Sequence, residues 1–294
     1  MLPHSGPNRL MSKTRPPVTS ALTITEHLMP YPPERIVCLT EETVETLYLL
    51  GEDKRIVGVS GYAVRPPRVR KEKPRVSAFI SADVPKILAL APDLVLTFSD
   101  LQAAIVADLV RAGVAVHAFN HRDIAGILDM IHMVGAIVGV PAKAAEIADA
   151  MAAHVALARD DAARLQRRPR VYFEEWDEPM ISAIGWVSEI IDAAGGIDVF
   201  AHLSAGKSAT ERIVTADQVI AAAPDIIIGS WCGKRFRPER VVARPGFADV
   251  PAVRTKAIFE VKSPIILQPG PAALTDGLEA IAGIINDWAA RTGR

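Results

Sequence analysis

The sequence predicts an α/β protein of two lobes with parallel sheets, joined by a single long helix. Three observations predict it. Short apolar strand patterns alternate with helical ones from residue 35 onwards, the order that builds parallel sheets covered on both faces. Two segments echo each other, PKILALAPDLVLTF (85–98) and DQVIAAAPDIIIGS (217–230), each a helix, an Ala-Pro-Asp link and an apolar strand, with Pro92 and Pro224 132 positions apart. Between them, Pro141 to Arg168 is Ala-rich, contains no Gly and has Pro only at its start. Its apolar residues Ile147, Met151, Val155, Ala158, Ala162 and Leu165 recur at helical spacing. About 26 residues at ~1.5 Å each span roughly 39 Å, longer than one small domain needs, so this run reads as a spine between lobes. The alternative is a long helix packed inside a single domain.

The elements follow in order. Residues 1–33 are polar, proline-bearing and aperiodic, a loose N-terminal arm. The first lobe covers 34–140. RIVCL (35–39) is a buried-strand pattern, and Thr40-Glu41-Glu42 opens a helix that Gly51 closes. RIVGVS is a second strand, leading into Gly61-Tyr62 and the basic, proline-rich loop AVRPPRVRKEKPR, which reads as a solvated connection. Val76–Phe79, a helix from about Asp83, the strand LVLTF, helix 101–112, the strand VAVHAF and helix 123–138 complete the lobe. The spine (141–168) starts on Pro141 and ends in Gln166-Arg167-Arg168, cations at the C-terminal end of the dipole, before Pro169. The second lobe (169–294) repeats the plan: strand RVYFEEW, helix WVSEIIDAAGG, helix TADQVIAAA, strand IIIGSW, a loop or short helix at 239–250, strand AIFEV and a closing helix 272–290.

Composition removes several classes of function. Half of the 294 residues are hydrophobic and 5% aromatic, enough for an ample aliphatic core. With 33 basic and 34 acidic residues the net charge is −1, so no global field favours nucleic acid or an anionic membrane. Two cysteines, Cys38 and Cys232, make no disulfide framework. The first thirty residues lack the apolar run of ~7–15 residues that a secretory signal needs, which taken literally predicts a cytoplasmic protein. No window offers the ~18 apolar residues of a membrane span. Gly-x-Ser-x-Gly, a phosphate-cradling Gly-rich loop and metal-spaced His/Cys clusters are all missing, so catalysis and an intrinsic cofactor or metal are not expected. His117 and His121 flank a strand end and read as structural, Trp186 and Trp288 as core residues, and Cys38 as inert within a strand.

In open parallel sheets ligands bind beyond the carboxyl ends of the strands. Here those ends carry Thr40-Glu41-Glu42, Gly61-Tyr62 and Phe79 in the first lobe. In the second they carry Glu174-Glu175-Trp176-Asp177-Glu178, Ser230-Trp231-Cys232-Gly233-Lys234-Arg235 and Lys262-Ser263-Pro264. If the lobes face each other, Tyr62, Phe79, Trp176 and Trp231 line one cleft with aromatic area. Glu41, Glu174 and Glu175 accept hydrogen bonds, Lys234 or Arg235 meets a phosphate, and Cys232 is placed to react or to ligate a metal. That mixture suits a bulky, flat, partly polar ligand. Each piece also has a plain structural reading: Glu41 and Glu42 equally suit a helix N-terminus, and Trp231-Cys232-Gly233-Lys234 an ordinary turn.

RIVCLTEETVETLYLLG, VGVSGYAVRPP, KPRVSAFISADVPKILALAPDLVL, the spine, AGGIDVF and DQVIAAAPDIII closely resemble the substrate-binding proteins of cobalamin and iron–siderophore ABC importers, over roughly 34–290. Gly61-Tyr62, Pro66-Pro67 and Phe79 bring it nearest the cobalamin branch. The resemblance implies two Rossmann-like lobes, the class III substrate-binding-protein fold, hinged slightly about the helix. It implies a corrinoid or metal chelate held between them and no chemistry performed. Phe79 matches an aromatic residue flanking the corrinoid, and Tyr62 falls in the matching loop. Acidic residues that dock onto the permease are matched by Asp217 on the second lobe. On the first, the aligned residue is Pro85, with Asp83 two positions away. The second-lobe tryptophan aligns with Glu211, leaving Trp176 or Trp231 to supply that face. The function expected is therefore a monomeric, non-enzymatic corrinoid-binding protein serving an ABC permease, periplasmic if the start codon lies elsewhere. The alternatives are an iron–siderophore or haem binder, and a cytoplasmic corrinoid-handling sensor or enzyme that reuses the fold.

Overall fold

The computed structural model describes residues 31–292. All but the last three residues of the expected arm, and with them the reading of an export signal, lie outside the described residues. The first lobe runs β1 (Ile36–Cys38), α1 (Glu41–Leu50), β2 (Ile56–Ser60), α2 (Val69–Glu72), β3 (Arg75–Ser77), α3 (Val84–Ala89), β4 (Leu94–Phe98), α4 (Ala103–Arg111), β5 (Val116–Phe119) and α5 (Ile124–Ile137). Then comes the spine, α6 (Pro141–Ala162). The second lobe runs β6 (Arg170–Glu174), β7 (Trp176–Asp177), β8 (Met180–Ile181), α7 (Gly185–Ala193), β9 (Ile197–Asp198), α8 (Ala216–Ala222), β10 (Ile226–Gly229), α9 (Pro238–Val242), α10 (Pro251–Arg254), β11 (Ile258–Glu260), α11 (Ser263–Ile266) and α12 (Leu278–Thr292).

The strands form a five-stranded sheet ordered β3-β2-β1-β4-β5 and a four-stranded sheet ordered β11-β10-β6-β9, both parallel. The order in which strands are added reverses between β1 and β4 and at β6, so crevices open beyond the carboxyl ends of β1 and β6. Glu41 and Glu42 follow β1, and Glu174 and Glu175 lie at the end of β6.

The echo between the lobes has a physical basis. In the first lobe the Asp93 carboxylate accepts the Arg35 backbone N–H (3.0 Å) while the Arg35 guanidinium donates to the carbonyls of Leu90 and Ala91. In the second, Asp225 accepts the Arg170 N–H (2.9 Å) and Arg170 Nε donates to Ala222 O (3.0 Å). Ala91 and Ala223, before each Pro-Asp pair, are both left-handed at φ 44°. The Ala-Pro-Asp link is thus a clamp that fastens a helix end to the start of the neighbouring strand, built twice.

Several elements depart from expectation at their ends. The spine helix stops at Ala162, 22 residues after it begins and about 33 Å long, rather than running to Arg168. Its last residues peel away because Gly195 admits Ala162 and Leu165 at close range and Arg168 turns to bond Asp192 (2.6 Å) and the Gly195 carbonyl. The strand expected through Trp176 ends at Glu174, after which Trp176–Asp177 pairs antiparallel with Met180–Ile181. The closing helix begins as a π turn over Ala273–Gly277. Trp186 and Trp288 are buried, as is Cys38, whose thiol burial pushes up to about 12.

Removing the clamp carboxylate leaves an arginine and a strand-initiating N–H without their partner. Asp225→Ala should therefore lower the free energy of unfolding by about 1–2 kcal/mol in urea titration, and Asp93→Ala by a similar amount.

Candidate functional site

The floor of the first-lobe wall is the N-terminus of α1. Thr40 occupies the cap position, but its hydroxyl donates to Glu42 Oε1 (2.5 Å) instead of capping the helix. Glu41 is 7% exposed; its Oε1 accepts the Ser60 hydroxyl (3.3 Å), and its Oε2 has no partner among the described residues. A helix N-terminus ordinarily favours carboxylates. Here burial prevails and pushes Glu41 up to about 7 and Glu42, which also feels the charge of Glu41, up to about 8. Beyond this floor the rim is apolar and open: Tyr62 is 51% exposed, Ile80 70% and Leu101 60%, at the carboxyl ends of β2, β3 and β4. Phe79 is half-buried. Buried Gln102 holds these ends in place, its Nε2 donating to Phe79 O (2.8 Å) and Leu39 O (3.2 Å) while its Oε1 accepts Phe98 N (3.1 Å).

The second-lobe wall sorts its charges. Glu174 has no solvent-facing surface. Its oxygens accept Trp231 Nε1 (2.9 Å), Tyr172 OH (2.9 Å) and both Arg244 guanidinium nitrogens. Trp231 is itself buried, edge-on to Phe236 at 5.0 Å. The expectation that Glu174 and Trp231 meet a ligand is thereby corrected: a fully bonded carboxylate and a packed indole support the wall from behind. Lys234 is also engaged, bonded to Asp177 and lying 3.8 Å above the Trp176 ring, rather than free for a phosphate. Burial opposes ionisation of Asp177, but Lys234 and Arg240 hold its carboxyl below the usual range. Arg235 is exposed.

What this wall offers to solvent is a pocket of about 360 Å³ lined by Glu175, Trp176, Ile181, Thr210, Ile213 and Cys232 among others. Glu175 is held by Arg212 (2.6 Å), a guanidinium only 2% exposed that also donates to Ser182 O. The Cys232 backbone N–H bonds Glu175 O (3.3 Å), which places the thiol in the pocket wall. Burial, and then the charges of Glu175 and Glu41, push that thiol up. Glu41 belongs to the other lobe, where the N-terminus of α1 packs directly on the second lobe: a Cβ added to Gly270 would lie 2.5 Å from the Glu42 Cβ. At the cleft base Arg122 lies 4.8 Å over the Phe98 ring and 3.5 Å from Asp100, held below its ordinary value by burial and by the charge of Arg212.

Of the expected site residues, Glu175, Trp176 and Cys232 line this pocket, while Tyr62 and Phe79 lie at strand ends of the first lobe and Glu41 is buried at the N-terminus of α1. Sequence reasoning missed Ile80, Leu101, Ile181, Ile213, Gln102 and Arg122. The one available signal was large apolar residues within otherwise polar strand-end loops, as in Ser-Ala-Phe-Ile-Ser. No group of three His, Cys, Asp or Glu side chains among the described residues is placed to hold a metal ion, and no helix among them is long and apolar enough to cross a membrane. Asp83 and Asp217 are exposed, Asp83 as the N-cap of α3, where its carboxylate accepts Lys86 N, and Asp217 in the first turn of α8, the two helices of the echo.

A family model described as "Periplasmic binding protein" matches residues 36–265. The chain belongs to this family. It is 27% identical over 199 residues to a cobalamin-binding protein of Halobacterium salinarum, covering 67% of this chain and only about half (53%) of that protein. It is 26% identical over 274 residues to the vitamin B12-binding protein of Vibrio cholerae, covering 88% of this chain and 92% of that one. Among solved structures, the apo periplasmic heme-binding protein RhuT of Roseiflexus sp. RS-1 superimposes with a TM-score of 0.77 at 27% identity, covering 87% and 99% of the two chains. The two-lobed α/β architecture expected from the sequence is that of the family.

Two measurements check this description of the walls. Glu174→Ala should lower stability by about 3–5 kcal/mol in denaturant, because half-buried Arg244 loses its counter-charge and buried Trp231 and Tyr172 lose their acceptor. The acids at the α1 N-terminus set a pH dependence. Their folded values lie above the unfolded one, so the folded state holds its protons more tightly. The stability they contribute is full below about pH 4.5 and is lost as pH rises toward about 8. Thermal unfolding across that window should show the fall, and Glu42→Gln should flatten it.

Proposed function

We propose that this protein captures a corrinoid-type metal tetrapyrrole in the cleft between its lobes and presents it to an ABC permease, performing no chemistry on it. The observation that carries the reading is the open apolar rim. Tyr62, Ile80 and Leu101 on one lobe and Trp176, Ile181 and Ile213 on the other stay exposed or half-exposed where a flat ligand would cover them. The charges favour an amide-bearing ring over a polyanionic chelate. Arg212, Lys234, Arg244 and Arg65 already have carboxylate partners, whereas the Glu41 carboxyl lacks one on Oε2. Haem is the second reading, favoured by the likeness to RhuT. Asp83 and Asp217, exposed near the starts of corresponding helices of the two lobes, are the proposed contacts to permease cations.

Calorimetry with cyanocobalamin, ferric protoporphyrin IX and a ferric siderophore tests the reading. Binding of cyanocobalamin is expected, and Tyr62→Ala or Ile80→Ala should each weaken it about tenfold, roughly 1–2 kcal/mol of lost apolar contact. Absence of heat and of any spectral change with all tetrapyrroles would overturn it.

A further inference from the structure

We propose that the contact between the start of α1 and segment 268–276 of the second lobe is a proton-operated seam: it holds the lobes together while Glu41 and Glu42 carry protons and loosens when they ionise. This stands whichever ligand the protein takes. The contact is close. A Cβ added to Gly270 would lie 2.5 Å from the Glu42 Cβ, so the segment lies directly on the first turn of α1, and residues 269–274 are buried. On either side of Gly270, first-lobe groups hold its backbone: His121 Nε2 donates to Pro269 O (2.7 Å) and the Glu45 carboxylate accepts Ala272 N (3.2 Å). Arg65 spans the junction, bonding Glu45 and Asp276 at 2.9 Å each.

Inside this contact sit two adjacent acids without a counter-charge. Glu41 is 7% exposed and Glu42 1%, and no cation faces either among the described residues. Their side chains meet only the hydroxyls of Ser60 and Thr40, and Glu41 Oε2 meets neither. The elements packed around them do not supply a cation. β1 brings the Cys38 thiol, β2 brings Ser60, and α1 brings Glu45, already paired with Arg65. Residues 268–275 of the second lobe carry no charge, and its Cys232 is a thiol that feels Glu41.

A sealed carboxylate with no cation is costly, and two side by side cost more. Burial therefore favours the protonated forms, pushing Glu41 up to about 7 and Glu42, which also feels Glu41, up to about 8. By linkage, once pH rises through these values the same groups favour any arrangement that lets water reach them. A segment drawn back from the first turn of α1 does so. The apolar core through α5 and α6 stays whole, so the result is a wider spread of lobe spacing rather than separated lobes. His121 does not share this window. Burial pushes it down, with Arg122, Asp123 and Asp129 around it, so it is neutral before the acids ionise.

Hydrogen exchange of the full chain tests this, read by mass spectrometry at about pH 6 and about pH 8.5 and corrected for the intrinsic pH dependence of amide exchange. Protection of residues 268–276 should fall about tenfold across this range while that of β4 stays level. In Glu41→Gln/Glu42→Gln, shown to be folded by circular dichroism, the segment should keep its protection at both values. Should the double variant fail to fold, Glu42→Gln alone takes its place, with a smaller fall than in the native chain. A second measurement reads the lobes. Spin labels on Leu101→Cys and on exposed Cys232, with Cys38 sealed from the reagent, should give a distance distribution that broadens at the higher pH. The same labels in the charge-removed variant should not broaden. The proposal is overturned if seam protection does not fall in the native chain, or if it falls equally in the variant. It is also overturned if the seam exchanges faster while the label distances keep their spread.

Discussion

Everything about the cleft depends on how closely α5 and α6 pack. A Cβ added to Gly135 in α5 would lie 2.2 Å from the Ala144 Cβ in α6, so the two helices meet almost backbone to side chain. That contact lets one apolar core run without a break from Ile36 in β1, through Val134, Ala144, Met151 and Val155, to Ile190 and Ile285 in the second lobe. Two lobes that share a core cannot swing as independent bodies without tearing it. Bonds at the cleft base add to the restraint: His121 Nε2 with Pro269 O (2.7 Å), Ile124 N to Glu189 (2.7 Å) and Ala272 N to Glu45 (3.2 Å) each join residues of the first lobe to the second. The two walls are held at a nearly fixed spacing, and ligand choice falls to what lines them.

Burial divides the charged residues into two populations. Arg244 with Glu174 and Lys234 with Asp177 are complete pairs, and their removal would expose an uncompensated charge to a low-dielectric interior. They hold the loops of the second lobe before any ligand arrives. Glu41 and Glu42 are the opposite case, carboxyls placed where helix geometry would welcome a negative charge but where desolvation outweighs it. The cleft therefore combines a rigid acidic-basic frame with a pair of acids whose burial pushes both carboxyls up.

The sequence carried the architecture well for an identifiable reason. Alternating periodicities, the glycine stops and the doubled Ala-Pro-Asp link are local signals, and in each lobe the link forms its clamp to a neighbouring strand. Helix ends were less legible because tertiary contacts set them: nothing in Gln166-Arg167-Arg168 announces that Arg168 leaves the helix to bond Asp192. The site was half legible. Strand-end positions pointed to the right loops, but not to which side chain in a loop faces inward. Glu174 and Glu175 are adjacent in sequence and alternate across the strand end, so one is sealed behind the wall by Arg244 and the other lines the pocket. Trp231 and Cys232 divide the same way. Arg244 and Arg212 lie far along the chain from the acids they bond, so no local pattern revealed those pairings.

The two lobes share a scaffold yet present different surfaces, and the difference follows from where each lobe spends its polar groups. In the first lobe, buried Gln102 satisfies the backbone ends of β1, β3 and β4 from within, which frees Tyr62, Ile80 and Leu101 to be apolar and exposed. In the second, strand ends are tied by ion pairs that need partial burial, which leaves a smaller apolar pocket edged by Glu175 and Cys232. A symmetric fold thereby produces an asymmetric cleft, broad and greasy on one side, ordered and chemically specific on the other. A flat ligand with one distinctive face would be oriented by that difference alone, before any single hydrogen bond is counted.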